Sequence, residues 1–434
     1  MSQAPTTSWK KRLKSLGPGL LFASTAIGTS HLVLSTQAGA HHGLIFIWII
    51  LATLILKYPF YEFGPRYANA TGFSLLKGYK DQGKWAIFLY LSLVFISMFA
   101  VVGAIGAVSA GLLSSMYGMS EIPMPLLLGG ILSLTAALLL IGRYKALDNF
   151  IKFISVVLFF TVLTAFVAVL LKGPVEAKAD FVPNKHLFEG AALALMVSLV
   201  GWMPSGMETS TMNSIWVVNK MSATNYRPSL KESLFDFNLG YGFTVILALM
   251  FLVIGAFTVY GSGELLEGNA TQFSNKLLAV FTTNLGDWSY PIIAAAAFGA
   301  IYGTLITAWD AFARSFARGL RALKFELEGP ESSQAEAEAF MNRMYNIFLP
   351  LIGLGAFLLF TQFQKGMLAV LAFATTLSFL TAPLISFLNL RAIQSKAIPA
   401  SHKPPQWMMV LAYIGLAAMT GFALYYLYDK FLTS

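Results

Sequence analysis

The chain has 434 residues, 57% hydrophobic and only 11% charged, with a mean hydropathy of +0.68. Soluble domains carry about 25% charged residues, which excludes a soluble globular enzyme, and 14% aromatic content excludes a disordered chain. The formal charge of +9 reads as the basic bias of loops on one side of a membrane, with no nucleic-acid partner, and the lack of cysteine excludes disulfides and thiolate metal sites.

Met1 to Leu16 carries Lys10, Lys11, Arg12 and Lys14 ahead of an apolar run. That resembles a signal-peptide n-region, but the run leads straight into further apolar segments and is expected to be a retained first helix. Segments of spanning length follow at about 17–40, 43–63, 85–114, 123–142, 149–171, 188–217, 236–260, 288–312, 346–361, 366–390 and 407–428. With the N-terminus in the cytoplasm, the inner connections hold 23 Lys and Arg and the outer ones 6; Lys57 is counted with the inner 57–84 stretch. The inverse topology reverses that ratio. Eleven spans of a multi-pass cell (plasma or inner) membrane protein are therefore expected, with the N-terminus cytoplasmic and the C-terminus external.

The polar parts are short. Residues 314–345 form the longest inner connection, where Glu331 to Arg343 reads as an amphipathic surface helix. The stretches at about 172–189 and 261–287 read as outer loops, the second holding a glycosylation-type tripeptide, Asn269-Ala270-Thr271. Glu62 with Arg66 and Asp310 with Arg314 stand four residues apart and read as helical ion pairs. Asp236 and Asn238 open the seventh segment and are assigned to an inner vestibule. Thr375 and Thr376 are expected to face the centre, and His41 and His42 to sit in a solvated turn.

Two segments interrupt themselves. The first reads Ile27-Gly28-Thr29-Ser30-His31, and the sixth reads Val200-Gly201-Trp202-Met203-Pro204-Ser205-Gly206-Met207-Glu208-Thr209. Glycine weakens a helix, and proline removes a backbone donor. Unwound backbone at membrane depth is tolerated where it is buried in protein or lines a cavity. Breaks in the first and sixth of the segments suggest an inverted repeat, 17–171 against 188–390, with 407–428 as an extra helix. One transmembrane unit over residues 1–434 is expected, its substrate site between the breaks.

Gly17-Pro18, Gln37-Ala38-Gly39-Ala40, Ala70-Thr71-Gly72 and Met203-Pro204 resemble the Nramp family (natural resistance-associated macrophage proteins) over nearly the whole chain. The resemblance implies an all-α LeuT-type fold of five plus five transmembrane helices with an eleventh, helices 1 and 6 broken. It also implies proton-coupled symport of a divalent transition metal. The departures are local. The family's Asp-Pro-Gly-Asn falls on Gly28 to His31, its histidines fall on Ser205 and Ser210, and its glutamine falls on Ala374. The third segment lacks the family's acidic residues, so Met203 is the one side-chain metal ligand retained.

The substrate-binding set read from these segments is Gly28, Thr29, Ser30, His31, Val200, Met203, Ser205, Glu208 and Thr209. His31, Met203 and Glu208, with carbonyls of Ile27 and Val200, form the candidate metal ligands, because imidazole and thioether suit transition metals. Glu208, an ionisable group inside a span, is also the candidate proton carrier. The competing reading is a small organic solute such as an amino acid, its carboxylate held by half-helix N-termini. No cofactor is expected, and no nucleophile–base pair or paired-carboxylate motif points to an enzyme.

Overall fold

The apolar runs become helices in the computed structural model, which describes residues 16–142, 144–183, 186–326, 331–363 and 366–433. Among these residues no strand occurs. The Lys10–Lys14 cluster lies outside them. The first run divides into α1 (Pro18–Ala26), a π-helical turn over Thr29–Ser35 and α2 (Thr36–His42). There follow α3 (Phe46–Thr71), the short α4 (Leu75–Asp81), α5 (Lys84–Tyr117), α6 (Met124–Ile141) and α7 (Tyr144–Lys172). The sixth run divides into α8 (Gly190–Trp202) and α9 (Thr209–Thr224). The remainder is α10 (Leu230–Val259), α11 (Ala270–Leu285), α12 (Tyr290–Lys324), α13 (Glu331–Gln362), α14 (Met367–Ile393) and α15 (Gln406–Tyr428). Each of the eleven expected segments falls on one of these helices or on one of the two broken pairs.

Three details differ from the sequence reading. The 261–287 stretch contains α11, whose polar residues conceal it from a hydropathy scan. Its Asn269 is spent on a capping box, accepting from the Gln272 N–H at 2.9 Å. Glu331 to Arg343 is not a separate surface helix but the opening turns of α13, because no helix breaker separates it from the apolar run. Lys57 does not belong to an inner connection. It lies within α3 and is fully buried, so the charge asymmetry becomes 22 to 6.

The start of α1 is anchored by another helix. The Asp236 carboxylate, on α10, accepts from the backbone N–H groups of Gly17 at 3.0 Å and Gly19 at 2.7 Å. This supplies the cap that α1 lacks locally and sets an anion at its positive end. The backbones touch there: a Cβ on Gly240 would stand 2.0 Å from the Gly19 carbonyl oxygen. The small residue permits the approach, as at other membrane helix crossings. Asp236, assigned above to a vestibule, is thus a structural clamp. Asp236→Ala strands both N–H groups and is expected to cost about 2 kcal/mol, read as a lower thermal midpoint in detergent. Asp236→Asn keeps an acceptor and should recover most of it.

Both i,i+4 pairs form. Arg66 meets Glu62 at 2.5 Å and ties α3 to the 402–403 turn through the His402 carbonyl at 3.0 Å. Arg314 meets Asp310 at 2.7 Å, and the Tyr345 hydroxyl donates to the same carboxylate at 2.6 Å. Thr375 bonds Ser198 across the α14–α8 contact at 2.9 Å.

Candidate functional site

Both breaks open on one small cavity of about 40 Å³. Thr25, Thr29 and Ser30 reach it from the first break, and Trp202, Ser205, Glu208 and Thr209 from the second. Thr304 and Phe312 of α12 close one wall, with Val101 and Ile105 of α5 beside them. Among the described residues its one ionisable lining group is Glu208, which is 4% exposed and precedes α9, where the helix dipole favours an anion. Gly206 makes room for the carboxylate: a Cβ there would meet Glu208 Oε1 at 2.3 Å. The Thr29 hydroxyl is buried without a hydrogen-bond partner. Ser205 and Thr209 share a hydrogen bond of 2.8 Å.

Five of the nine residues singled out from sequence therefore line the cavity: Thr29, Ser30, Ser205, Glu208 and Thr209. The other four do not. His31 is fully buried and turned to α10, its Nε2 donating to the Thr244 carbonyl at 3.0 Å. That carbonyl can only accept, so Nδ1 carries the lone pair, and it meets the Ser30 hydroxyl at 2.9 Å. Both ring nitrogens are used inside the protein. Met203 is buried outside the cavity lining, next to a cis Met203-Pro204 peptide. Gly28 faces Thr304: a Cβ there would stand 2.3 Å from Thr304 Oγ1. The space that the family resemblance gives to an aspartate is filled by Thr304 of α12. Among the described residues no cluster of three or more His, Asp or Glu is positioned to hold a metal.

The Val200 carbonyl, a candidate ligand above, already has a partner. Lys57 Nζ donates to the carbonyls of Val200 at 2.9 Å, Gly201 at 3.2 Å, Met203 at 3.1 Å and Ser205 at 3.3 Å. One turn further along α3, the Tyr61 hydroxyl donates to the Ser205 carbonyl. α3 therefore holds the unwound stretch through an i,i+4 pair of donors. Past the break, Asn389 of α14 donates to Ser210 Oγ at 2.7 Å and accepts from the Tyr79 hydroxyl at 2.5 Å. Lys57, Tyr61, Tyr79 and Asn389 were not singled out as site residues from sequence. The available signal was a lysine in the middle of an apolar run of spanning length.

Near the ion pair of α12, a larger hollow of about 380 Å³ is lined by Gly17, Trp216, Lys220, Thr307, Asp310 and Arg314. α12 borders both spaces, with Thr304 and Ala308 on the small cavity and Thr307 and Asp310 on the hollow. Asp236 and Asn238, expected from sequence at an inner vestibule, are not among the hollow's lining residues.

A family model described as natural resistance-associated macrophage protein-like matches residues 19–429. An uncharacterized protein of Pasteurella multocida is 31% identical over 427 residues, covering 98% of this chain and 94% of that one. A divalent metal cation transporter of Staphylococcus saprophyticus is 25% identical over 304 residues, covering 68% and 65%. Among solved structures, a mutant of the Eremococcus coleocola manganese transporter is similar with a TM-score of 0.66 at 13% identity, over 98% of this chain and 88% of that one. MhsT in complex with L-phenylalanine is similar with a TM-score of 0.57 at 12% identity, over 96% and 99%. At such identities the structural likenesses speak for the fold alone.

Proposed function

The chain belongs to the Nramp family, and on that premise we propose that this membrane transporter carries a small cation by alternating access around its two broken helices. The observation that carries the reading is the pairing of the buried Glu208 carboxylate with the unpartnered Thr29 hydroxyl on one cavity. Ser205 and Thr209 add further oxygens. A donor set dominated by oxygens suits a hard cation; the Met212 thioether is the one soft donor among the described lining residues, and His31 and Met203 stand outside the lining. A site for one water needs about 10–15 Å³, so 40 Å³ suits an ion with a water or two better than an amino acid. This weighs against the organic-solute alternative.

The staphylococcal relative's name specifies a divalent metal cation, which makes that the first cargo to test. We take the side bearing most Lys and Arg as cytoplasmic. On the cavity, the Glu208 carboxylate binds a proton in competition with the cation, coupling cargo to pH. The test is uptake of Na⁺, Mg²⁺, Mn²⁺ and Cd²⁺ into proteoliposomes holding the full chain. Saturable, protein-dependent uptake of at least one ion is expected. If none is moved or bound, the cation reading fails, and a thermal-shift screen of amino acids becomes decisive for the alternative.

A further inference from the structure

Lys57 has no role in the reading so far, yet it is the most completely buried cation among the described residues, at 0% exposure. A lysine side chain in that state is costly unless every donor is satisfied. Here four carbonyl oxygens lie within 3.3 Å of Nζ, all of them acceptors. An ammonium has three donors and no lone pair, so it fits such a cage, whereas a neutral amine would turn a lone pair against oxygen. The cage is itself the natural seat of a cation. The last turn of α8 leaves carbonyls without helical partners, and the helix dipole puts its negative end there. Unwound carbonyls of a broken membrane helix serve elsewhere to coordinate ions.

We propose that Lys57 is a resident, tethered cation that fills the carbonyl half of this site and thereby restricts the cargo to a single positive charge. The proposal deepens the cation reading above and rests on it. Lys57 closes the C-terminal end of α8, and Glu208 stands at the N-terminal end of α9, on opposite sides of one break. Together they make the empty site neutral. A monocation at Glu208 then leaves one net charge in a low-dielectric setting; a divalent ion would leave two, beside a fixed ammonium. Lys57 also denies a divalent ion the Val200 and Met203 carbonyls, so such an ion would find one carboxylate, hydroxyls and the Met212 thioether.

The experiment is cation binding to the full chain in detergent, with Na⁺ and Mn²⁺ as probes, comparing native protein, Lys57→Met and the Lys57→Met/Glu208→Gln double variant. Native protein should bind Na⁺ at least tenfold more tightly than Mn²⁺. Lys57→Met should gain Mn²⁺ affinity by about 100-fold, and the double variant should lose that gain. A purely structural lysine would yield a weaker fold with no new metal affinity. Lys57→Met binding Mn²⁺ no better than native overturns the proposal. If native protein binds neither ion while Lys57→Met binds Mn²⁺, the tethered cation stands and the native cation cargo falls. Should Lys57→Met fail to fold, the native protein decides: Na⁺ preferred tenfold supports the assignment, and Mn²⁺ bound as tightly as Na⁺, or neither ion bound, overturns it.

Discussion

Glu208→Gln is expected to weaken cation binding severely while leaving a folded protein. Two unit charges about 4 Å apart interact by about 4 kcal/mol at an effective dielectric of 20, a factor of roughly 1,000 in affinity. The hydroxyl oxygens remain in the variant, so a loss on the order of 100-fold is the working figure. Stability should move the other way. Glu208 is 4% exposed, and no ion pair within 4 Å is formed by it among the described residues. Replacing a buried, unpaired carboxylate by its neutral isostere removes a desolvation cost, so the thermal midpoint should hold or rise. The pH dependence separates a ligand from a bystander. Proton and cation compete for one carboxylate, so native affinity should fall as pH falls. The residual binding of Glu208→Gln should be flat across the same range. Native-like binding by a folded Glu208→Gln would remove Glu208 from the site.

The position of the two breaks along the chain was legible because each is a local event. Gly28 beside three polar residues, and Gly201, Pro204 and Gly206 within one span, are written where they act. The direction of each side chain was not, since it depends on how the chain leaves the break. Thr29 and Ser30 face the cavity and His31 faces α10, although the three are consecutive. Side chains on neighbouring helical positions point apart, and a π-helical turn adds its own rotation. Lys57 escaped for a different reason. A charge count treats a lysine as a boundary marker, but this one is solvated by carbonyls 143 to 148 residues away. Nothing in its neighbours foretells those partners. Asp236 is a similar case: its two N–H donors lie 219 and 217 residues upstream, across the α1–α10 contact.

The same geometry explains why the carboxylate implied by the family resemblance cannot simply be restored at Gly28. A Cβ there would lie 2.3 Å from Thr304 Oγ1, 2.8 Å from its Cβ and 3.0 Å from its Cγ2. Thr304 has little freedom to yield, because it is β-branched and its hydroxyl bonds the Ala300 and Ser24 carbonyls at 3.0 and 3.1 Å. Gly28→Asp alone is therefore expected to destabilise the protein by about 1–3 kcal/mol from overpacking, before any cost of burying a second carboxylate. Its thermal midpoint should drop, and no metal affinity should appear. Thr304→Gly clears all three atoms, at a helix cost of about 1 kcal/mol. The Gly28→Asp/Thr304→Gly pair should then be more stable than Gly28→Asp alone, which is the sign of coupling between touching residues. It should also bind Mn²⁺ at least tenfold more tightly than native protein. The introduced carboxylate and Glu208 would together outweigh the Lys57 ammonium and leave the empty site with one negative charge. If the pair is no more stable than the single variant, Thr304 is not what excludes the side chain. If it is stable yet gains no Mn²⁺ affinity, the charge balance between Lys57 and Glu208 does not set which cation the site accepts.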